Sequence, residues 1–177
     1  MLPARPVLLL TGAVLAGCAS MPDIPKPPPP KKLVLEQALT GRLLAEGAFV
    51  NSLTGGETRL NVLIDGTWEG QVLTLVEDFT YDGGLTERKT WRLTKTAEGI
   101  YSGTREDVIG AADVRQDGDG VRLDYRVTLD TGLGPIAVRF QDLLTLNADG
   151  SVENAAVVSK WGLKIGRVHL TMRPQKR

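Results

Sequence analysis

Apolar and polar side chains alternate with a period of two along much of the chain after residue 33. In the clearest run, from Val121 to Leu129, five apolar residues alternate with arginine, aspartate and threonine. This alternation is typical of a β-strand with one buried and one exposed face. Similar patterns occur at 136–146 and around Trp91, and a last strand is expected from about Leu163 to Met172. The pattern predicts a protein built mainly from strands.

Short clusters rich in glycine separate the predicted strands. They combine Gly with residues that tolerate positive φ or close hairpins, and they lie at 54–56, 65–66, 82–84, 97–99, 116–120, 131–135 and 147–150. About nine or ten strands joined in this way form a meander, which must close or fold over to hide its edges. We predict an all-β fold, an antiparallel up-and-down, lipocalin-like barrel, with a two-sheet β-sandwich as the alternative.

The barrel domain is expected to occupy residues 33–177. Its length of roughly 145 residues suits one domain with one core. Hydrophobic residues make up 42% and charged residues 24% of the chain, as in globular proteins. Basic and acidic residues number 21 each, so no net charge favours a nucleic acid partner. At the start of the domain, Leu33 to Leu39 predicts either a short helix or an irregular lead-in.

The N-terminal residues have a different pattern from the rest of the chain. Arg5 precedes a short apolar stretch, Val7 to Val14, which is too short to span a bilayer stably. The sequence Leu15-Ala16-Gly17-Cys18 then resembles the bacterial lipobox, in which the cysteine thiol is diacylated and the chain is cut before it. This resemblance implies that residues 1–17 are a signal peptide and that Cys18 carries the lipid.

The residues after the lipobox predict a membrane tether. Cys18 is the only cysteine, so the chain cannot form an intramolecular disulfide. Residues 18–32 contain a run of prolines, which predicts an extended polyproline II segment of roughly 35–40 Å. An aspartate directly after the cysteine would resemble an inner-membrane retention signal, but this position holds Ala19. We therefore expect an outer-membrane protein on the periplasmic face, attached to the membrane through its N-terminal lipid.

Several segments resemble known families. Gly66-Thr67-Trp68 is similar to the Gly-x-Trp signature of lipocalins, and this resemblance implies that Trp68 plugs the barrel base. A broader resemblance is to a domain-of-unknown-function family of proteobacterial lipoproteins with a lipocalin-like barrel. Its matching segments lie, in order, at 45–49, 66–70, 73–84, 88–91, 99–103, 107–110 and 160–166. The family has no established chemistry, and it resembles a lipid-associated accessory protein more than an enzyme.

Four charged residues are in phase with the apolar residues of their strands, namely Glu77, Asp142, Lys160 and Arg167. Burying an isolated charge costs several kcal/mol, so each must find an ion partner, water or a ligand. One hypothesis is buried ion pairs, such as Asp142 with Lys160 or Glu77 with Arg167, that fix the strand register. The other is a cavity with an apolar body and a polar floor or rim, suited to a fatty acid or another lipid. A single β-bulge before one of these residues would reverse its face.

Few other residues suggest a catalytic or metal-binding site. His169 is the only histidine and is expected at the surface or a sheet edge, where it cannot build a zinc site alone. Asp117 and Asp119 lack the loop spacing of a calcium-binding EF-hand, so we expect no metal and no cofactor. Four further aromatic residues are expected in the core, namely Trp91, Tyr101, Tyr125 and Trp161.

These observations lead to one hypothesis and two alternatives. The hypothesis is an outer-membrane lipoprotein whose barrel binds or carries a small hydrophobic ligand such as a lipid. The first alternative is a structural or interaction lipoprotein with a filled barrel that docks an envelope complex. The second is an enzyme that acts on lipids, which would use carboxylates such as Glu77 or Asp142.

Overall fold

The computed structural model describes residues 31–131 and 134–175, and these form a closed antiparallel barrel of ten strands. A four-residue helix, α1 (Leu35–Ala38), precedes the first strand. Each strand pairs with the next one along the chain, and the last strand pairs with the first. The strands are β1 (Gly41–Asn51), β2 (Glu57–Glu69), β3 (Val72–Tyr81), β4 (Thr86–Ala97), β5 (Ile100–Thr104), β6 (Ala112–Asp117), β7 (Gly120–Thr131), β8 (Gly134–Leu146), β9 (Val152–Lys160) and β10 (Leu163–Pro174).

This architecture confirms the predicted up-and-down barrel and excludes the two-sheet sandwich. The pairing of β1 with β10 runs from Leu43 opposite Pro174 to Asn51 opposite Gly166, which closes the sheet. Closure pairs the edges that an open sheet would leave exposed. The diameter of a barrel grows with strand number, so ten strands enclose a wider interior than the eight of a lipocalin barrel.

The residues before β1 close one end of the barrel, here called the helix end. Leu33, Leu35 and Leu39 are at most 3% exposed. Glu36 on α1 fixes this segment, because its Oε1 accepts a hydrogen bond from Lys95 Nζ at 2.7 Å and its Oε2 accepts one from the Tyr101 hydroxyl. The short helix predicted within 33–39 is therefore present, over fewer residues.

The turn predicted at 65–66 is wrong, and its glycine is required by a close backbone contact. Asp65 and Gly66 lie inside β2 instead of ending a strand. A Cβ atom on Gly66 would lie 1.8 Å from the carbonyl oxygen of Leu39. The glycine is needed because the chain after α1 passes directly against β2.

The opposite end of the barrel, here called the far end, is formed by other connections. The β1–β2, β3–β4 and β9–β10 hairpins turn there, at residues 52–56, 82–85 and 161–162. These hairpins are neighbours around the barrel, since Ser52 N donates to Ile165 O at 2.9 Å and Asp82 N donates to Arg59 O at 3.0 Å.

The wall between β4 and β7 is irregular toward the far end. There β5 and β6 are only five and six residues long, and the connecting segment 105–111 takes their place. Ile109 N donates to Arg126 O at 2.8 Å, and Thr128 N donates to Asp107 O at 2.9 Å. On the β4 side, Thr90 N donates to a carboxylate oxygen of Glu106 at 2.9 Å. The segment therefore completes the wall without being a strand.

A β-bulge in β10 overturns the predicted position of Arg167. The pairing with β9 shifts between Lys164 and Gly166, where β10 contains one extra residue. After the bulge, Leu170 and Met172 are buried inside while Arg167 is exposed on the outer surface. Arg167 is thus not an inward charge, and it does not pair with Glu77.

Predictions for the N-terminal region lie outside the described residues. The signal peptide at 1–17, Cys18 and the tether up to residue 30 therefore stay predictions. Within the described part of the chain, no helix is both long and apolar enough to cross a membrane.

Candidate functional site

The interior of the barrel contains a cavity of about 370 Å³. Its lining extends from Leu35 and Leu39 at the helix end to Thr58, Tyr81 and Ile165 near the far end. A volume of this size falls within the range of roughly 300–1,000 Å³ found for small-molecule sites. Most of the lining is apolar and comes from the inward residues of several strands, among them Leu60, Leu75, Leu93, Leu123, Leu144 and Met172.

A group of polar side chains interrupts this apolar lining. Six of them line the cavity and one lies directly behind it. They come from five strands and from the irregular segment 105–111, so their convergence depends on closure of the barrel. We call this group the polar cluster: Glu77, Lys89, Arg105, Asp107, Tyr125, Asp142 and Asn154.

Arg105 is the central cation of the polar cluster. Its guanidinium carbon lies 4.7 Å from the centroid of the Trp91 ring, which favours a cation–π contact. Its Nε donates to Asp107 Oδ1 at 2.7 Å, and its Nη1 lies 3.6 Å from Glu77 Oε2. Burial alone would lower the pKa of Arg105, but Tyr125 and these carboxylates raise it. Arg105 therefore stays charged inside the barrel.

Asp107 forms ion pairs with both cations of the polar cluster. Lys89 Nζ donates to Asp107 Oδ2 at 2.7 Å and also lies 3.2 Å from Glu87 Oε1. Arg105 binds the same carboxylate through Nε and Nη2. Burial alone would raise the pKa of Asp107, but hydrogen bonds from Arg105 and Lys89 lower it below its usual value.

Asp142 is a buried carboxylate with one oxygen bonded and one oxygen free. The residue is only 5% exposed. Its Oδ2 accepts hydrogen bonds from the Tyr125 hydroxyl at 3.3 Å and from Asn154 Nδ2 at 3.2 Å. No donor among the described residues reaches its Oδ1. Burial raises the pKa of Asp142 to about 6, although these hydrogen bonds and Arg105 act in the opposite direction.

Glu77 also has a buried carboxylate oxygen that accepts no hydrogen bond from a described residue. The 3.6 Å contact with Arg105 exceeds hydrogen-bond distance, and Glu77 Oε2 accepts no hydrogen bond within the described ranges. Burial raises the pKa of Glu77 to about 7, even though Arg105 and Lys89 lower it. Asn154 Oδ1 is a third buried acceptor without a donor among the described side chains and backbone.

Two of the four predicted inward charges reach the cavity. Glu77 and Asp142 both line it, as the phase of their strands predicts. Lys160 lies at the end of β9, where its Nζ is 4.5 Å from the centroid of the Trp161 ring. It forms no ion pair with Asp142, and Arg167 forms none with Glu77; the ion partner of Glu77 is Arg105.

The structure also locates three other residues that the sequence analysis names. Trp68 is partly buried on the inward phase of β2 at the helix end, and its role as a plug stays a prediction. His169 is exposed on the outer surface, with Nε2 3.0 Å from Glu153 Oε2. The prediction that Trp161 belongs to the core is wrong, because it is 89% exposed at a hairpin turn.

Sequence reasoning missed most of the polar cluster. Lys89 is in phase with Trp91 and Leu93 on β4. The strand phase that predicts an inward Glu77 therefore predicts an inward Lys89 as well. Arg105 lies in a segment without alternation, so no pattern predicts its direction. Among the described residues, no group of three His, Cys, Asp or Glu side chains is arranged to hold a metal ion.

Comparison with solved structures finds other barrels. The chain is similar to a redesigned β-barrel, mFAP1, bound to DFHBI, with 13% identity, a TM-score of 0.41, and coverage of 78% of this chain and 96% of that one. It is similar also to EF1p2_mFAP2b bound to DFHBI, at 11% identity and TM-score 0.41, with coverage of 78% and 95%. A third is the redesigned barrel b11L5F_LGL, at 13% identity and TM-score 0.42, with coverage of 80% and 95%.

Comparison with protein families is more specific. No curated protein matches the chain. A family model described as "Protein of unknown function (DUF3833)" matches residues 12–174, which is nearly the whole chain. The chain therefore belongs to the DUF3833 family.

Proposed function

We propose that this protein is a lipid-anchored protein of the outer membrane whose barrel binds or carries a small hydrophobic ligand such as a lipid. The observation that carries this proposal is the cavity of about 370 Å³, which combines an apolar lining with a polar cluster. Sites for small molecules commonly have this composition, with a few polar groups that fix the orientation of an apolar ligand.

The cavity also favours ligand binding over the alternative of a structural lipoprotein with a filled barrel. A barrel that serves only as a structural or docking module is most stable when side chains fill its interior at the density of other protein cores. Here ten strands leave space that the side chains do not fill. The space is thus better explained by an occupant than by a filled docking module.

Ligand binding can be tested with purified protein and a neutral fluorescent probe, N-phenyl-1-naphthylamine. We expect saturable binding of the probe, and we expect organic extraction followed by mass spectrometry to recover a co-purified lipid. Protein that neither binds the probe nor releases a lipid would contradict the proposal.

A matched pair of variants locates the binding site. Ala156 is 4% exposed and lines the cavity, whereas its neighbour Ala155 is exposed on the outer face of β9. Ala156→Phe fills part of the cavity and should weaken probe binding at least tenfold, whereas Ala155→Phe should leave it unchanged. Circular dichroism checks that both variants fold, and Val158→Phe serves as a second cavity-filling variant. Equal binding by a folded Ala156→Phe would place the probe elsewhere.

The membrane anchor requires a separate test. Cells that express the full chain should incorporate labelled palmitate into it, and the protein should fractionate with the outer membrane. Cys18→Ser should abolish both results, because lipidation requires the thiol. Incorporation of palmitate into the Cys18→Ser variant would show that the lipid is attached elsewhere.

A further inference from the structure

We propose that the polar end of the ligand is a neutral hydroxyl group that donates a hydrogen bond to Asp142. This inference rests on the proposed function, because it assumes that an apolar ligand occupies the cavity. It assigns the headgroup class, which the size and apolar lining of the cavity leave open. A long-chain alcohol or a glycerol monoester has this chemistry, whereas a free fatty acid does not.

The first observation is that the cavity contains acceptors without donors. Asp142 Oδ1, Glu77 Oε2 and Asn154 Oδ1 are buried, and no described group donates a hydrogen bond to any of them. Buried polar atoms in native proteins are nearly always hydrogen-bonded, so a set of three such atoms in one cavity indicates a missing donor. Asp142 is the best defined of the three, because Tyr125 and Asn154 already fix its other oxygen. As a carboxylate it also accepts stronger hydrogen bonds than the amide oxygen of Asn154.

The second observation is that the cations of the cluster are already engaged. Arg105 binds Asp107 through two nitrogens, and Lys89 binds Asp107 and Glu87. A carboxylate headgroup would have to displace one of these ion pairs, and it would also face the carboxylates of Asp142 and Glu77. The cavity therefore disfavours an anionic headgroup.

A third observation separates a hydroxyl group from an ammonium group. The interior already holds the charges of Arg105, Lys89 and Asp107, and an ammonium headgroup would lose its hydration there at a large cost in free energy. A hydroxyl group carries no charge, and it can accept one hydrogen bond while it donates another. It can thus donate to Asp142 Oδ1 without the burial of a further charge.

The experiment compares ten-carbon ligands that differ only in their headgroup, as competitors of N-phenyl-1-naphthylamine at pH 8. The series contains 1-decanol, decyl methyl ether, decanoic acid and decylamine. We expect 1-decanol to displace the probe at a concentration at least tenfold lower than the ether, which cannot donate, and the decanoate ion. Equal displacement by alcohol and ether, or stronger displacement by decanoate or decylamine, would overturn the inference. A probe that does not bind at all would instead contradict the proposed function.

A substitution at Asp142 reverses the hydrogen-bonding direction. In Asp142→Asn the amide oxygen can still accept from Tyr125 and Asn154, while the amide nitrogen replaces Oδ1 and presents a donor. We expect the affinity for 1-decanol, relative to that for decyl methyl ether in the same variant, to fall about tenfold, and the affinity for decanoate to rise.

The control for this variant is Asp130→Asn, which changes an exposed residue of the same strand pair and should alter no affinity. Circular dichroism shows whether Asp142→Asn folds, and Glu77→Gln provides a second variant if it does not. Wild-type affinity for 1-decanol in a folded Asp142→Asn protein would overturn the assignment of the donor to Asp142.

Discussion

The two ends of the barrel differ in how much apolar surface they expose to solvent. At the helix end, Leu33 and Leu35 are almost fully buried, and Glu36 ties them to the wall. At the far end, four large apolar residues are exposed in or beside three neighbouring hairpin turns: Leu53 at 78%, Leu85 at 68%, Trp161 at 89% and Leu163 at 70%. Apolar side chains are therefore more completely buried at the helix end, while the far end keeps apolar surface exposed to solvent.

The largest expected effect follows from removing a leucine at each end. Leu33→Ala should lower the free energy of unfolding by about 2–5 kcal/mol, because it leaves a cavity in a closed core. Leu53→Ala should change it by less than about 0.5 kcal/mol, since exposed side chains lose little on truncation. Urea unfolding measures both values. Similar losses for the two variants would remove the contrast between the ends.

The next effect concerns Glu77 and pH. Burial raises its pKa from 4.5 to about 7, so between these values the folded chain keeps a proton that the unfolded chain releases. The stabilisation is complete below pH 4.5 and is lost as the pH rises through 7; the loss should be about 1–3 kcal/mol. Asp142 acts in the same direction, with its pKa raised from 3.8 to about 6.

Urea unfolding at pH 5 and pH 8 tests this effect. The wild-type chain should be less stable at pH 8, and Glu77→Gln should reduce that difference, because a neutral amide cannot release a proton. The exposed Glu69→Gln variant serves as a control and should behave as wild type. A pH difference that Glu77→Gln leaves intact would show that Glu77 is not its source.

A carboxylate at the helix end should show the opposite pH dependence. Burial alone would raise the pKa of Glu36, but hydrogen bonds from Lys95 and Tyr101 lower it below its usual 4.5. Its stabilisation is therefore present above pH 4.5 and is lost as the pH falls. We expect Glu36→Gln to cost about 1–2 kcal/mol at pH 7 and less at pH 3. A double-mutant cycle with Lys95→Met measures the coupling, and a coupling near zero would contradict the role of this pair.

The smallest effect concerns the backbone at the far end. Trp161 has a positive φ of 53°, and Gly162 follows it with a φ of 81° in the same two-residue turn. A bulky side chain is unfavourable in this conformation, whereas asparagine is common there. Trp161→Asn should therefore raise the free energy of unfolding by up to about 1 kcal/mol. Leu163→Asn, which changes an exposed strand residue, should not raise it, and a loss on Trp161→Asn would show that the indole contributes to stability.

Strand alternation predicts the face of a residue best inside a regular strand. Alternation over β7 and β8 predicted the barrel and placed Asp142 inside it. The same reasoning placed Glu77 correctly on β3, and it could have found Lys89 on β4. Strand phase is reliable in these cases because successive residues of a regular strand must point to opposite faces.

Prediction failed where the backbone departs from this regularity. The bulge before Gly166 shifts the phase by one residue, so Arg167 points outward. Arg105 comes from a segment without strand geometry, so alternation contains no information about its side chain. Trp161 was assigned to the core from its hydrophobicity alone, although its neighbour Gly162 already indicated a turn. Arg105 and Arg167 are thus residues whose positions depend on the local backbone of the folded chain, whereas the phase of β4 already predicts the position of Lys89.

The irregular wall segment 105–111 also has a consequence for how ligand specificity could change. It delivers Arg105 and Asp107 to the interior, and both backbone hydrogen bonds to β7 and ion pairs with Glu77 and Lys89 hold it in place. The segment belongs to none of the ten strands, whereas Glu77 and Asp142 lie on strands of the barrel. The cations and the carboxylates of the interior are therefore encoded partly in different stretches of sequence. Sequence change in this one connection would alter the charge beside Asp142 and Glu77 without changing a strand residue.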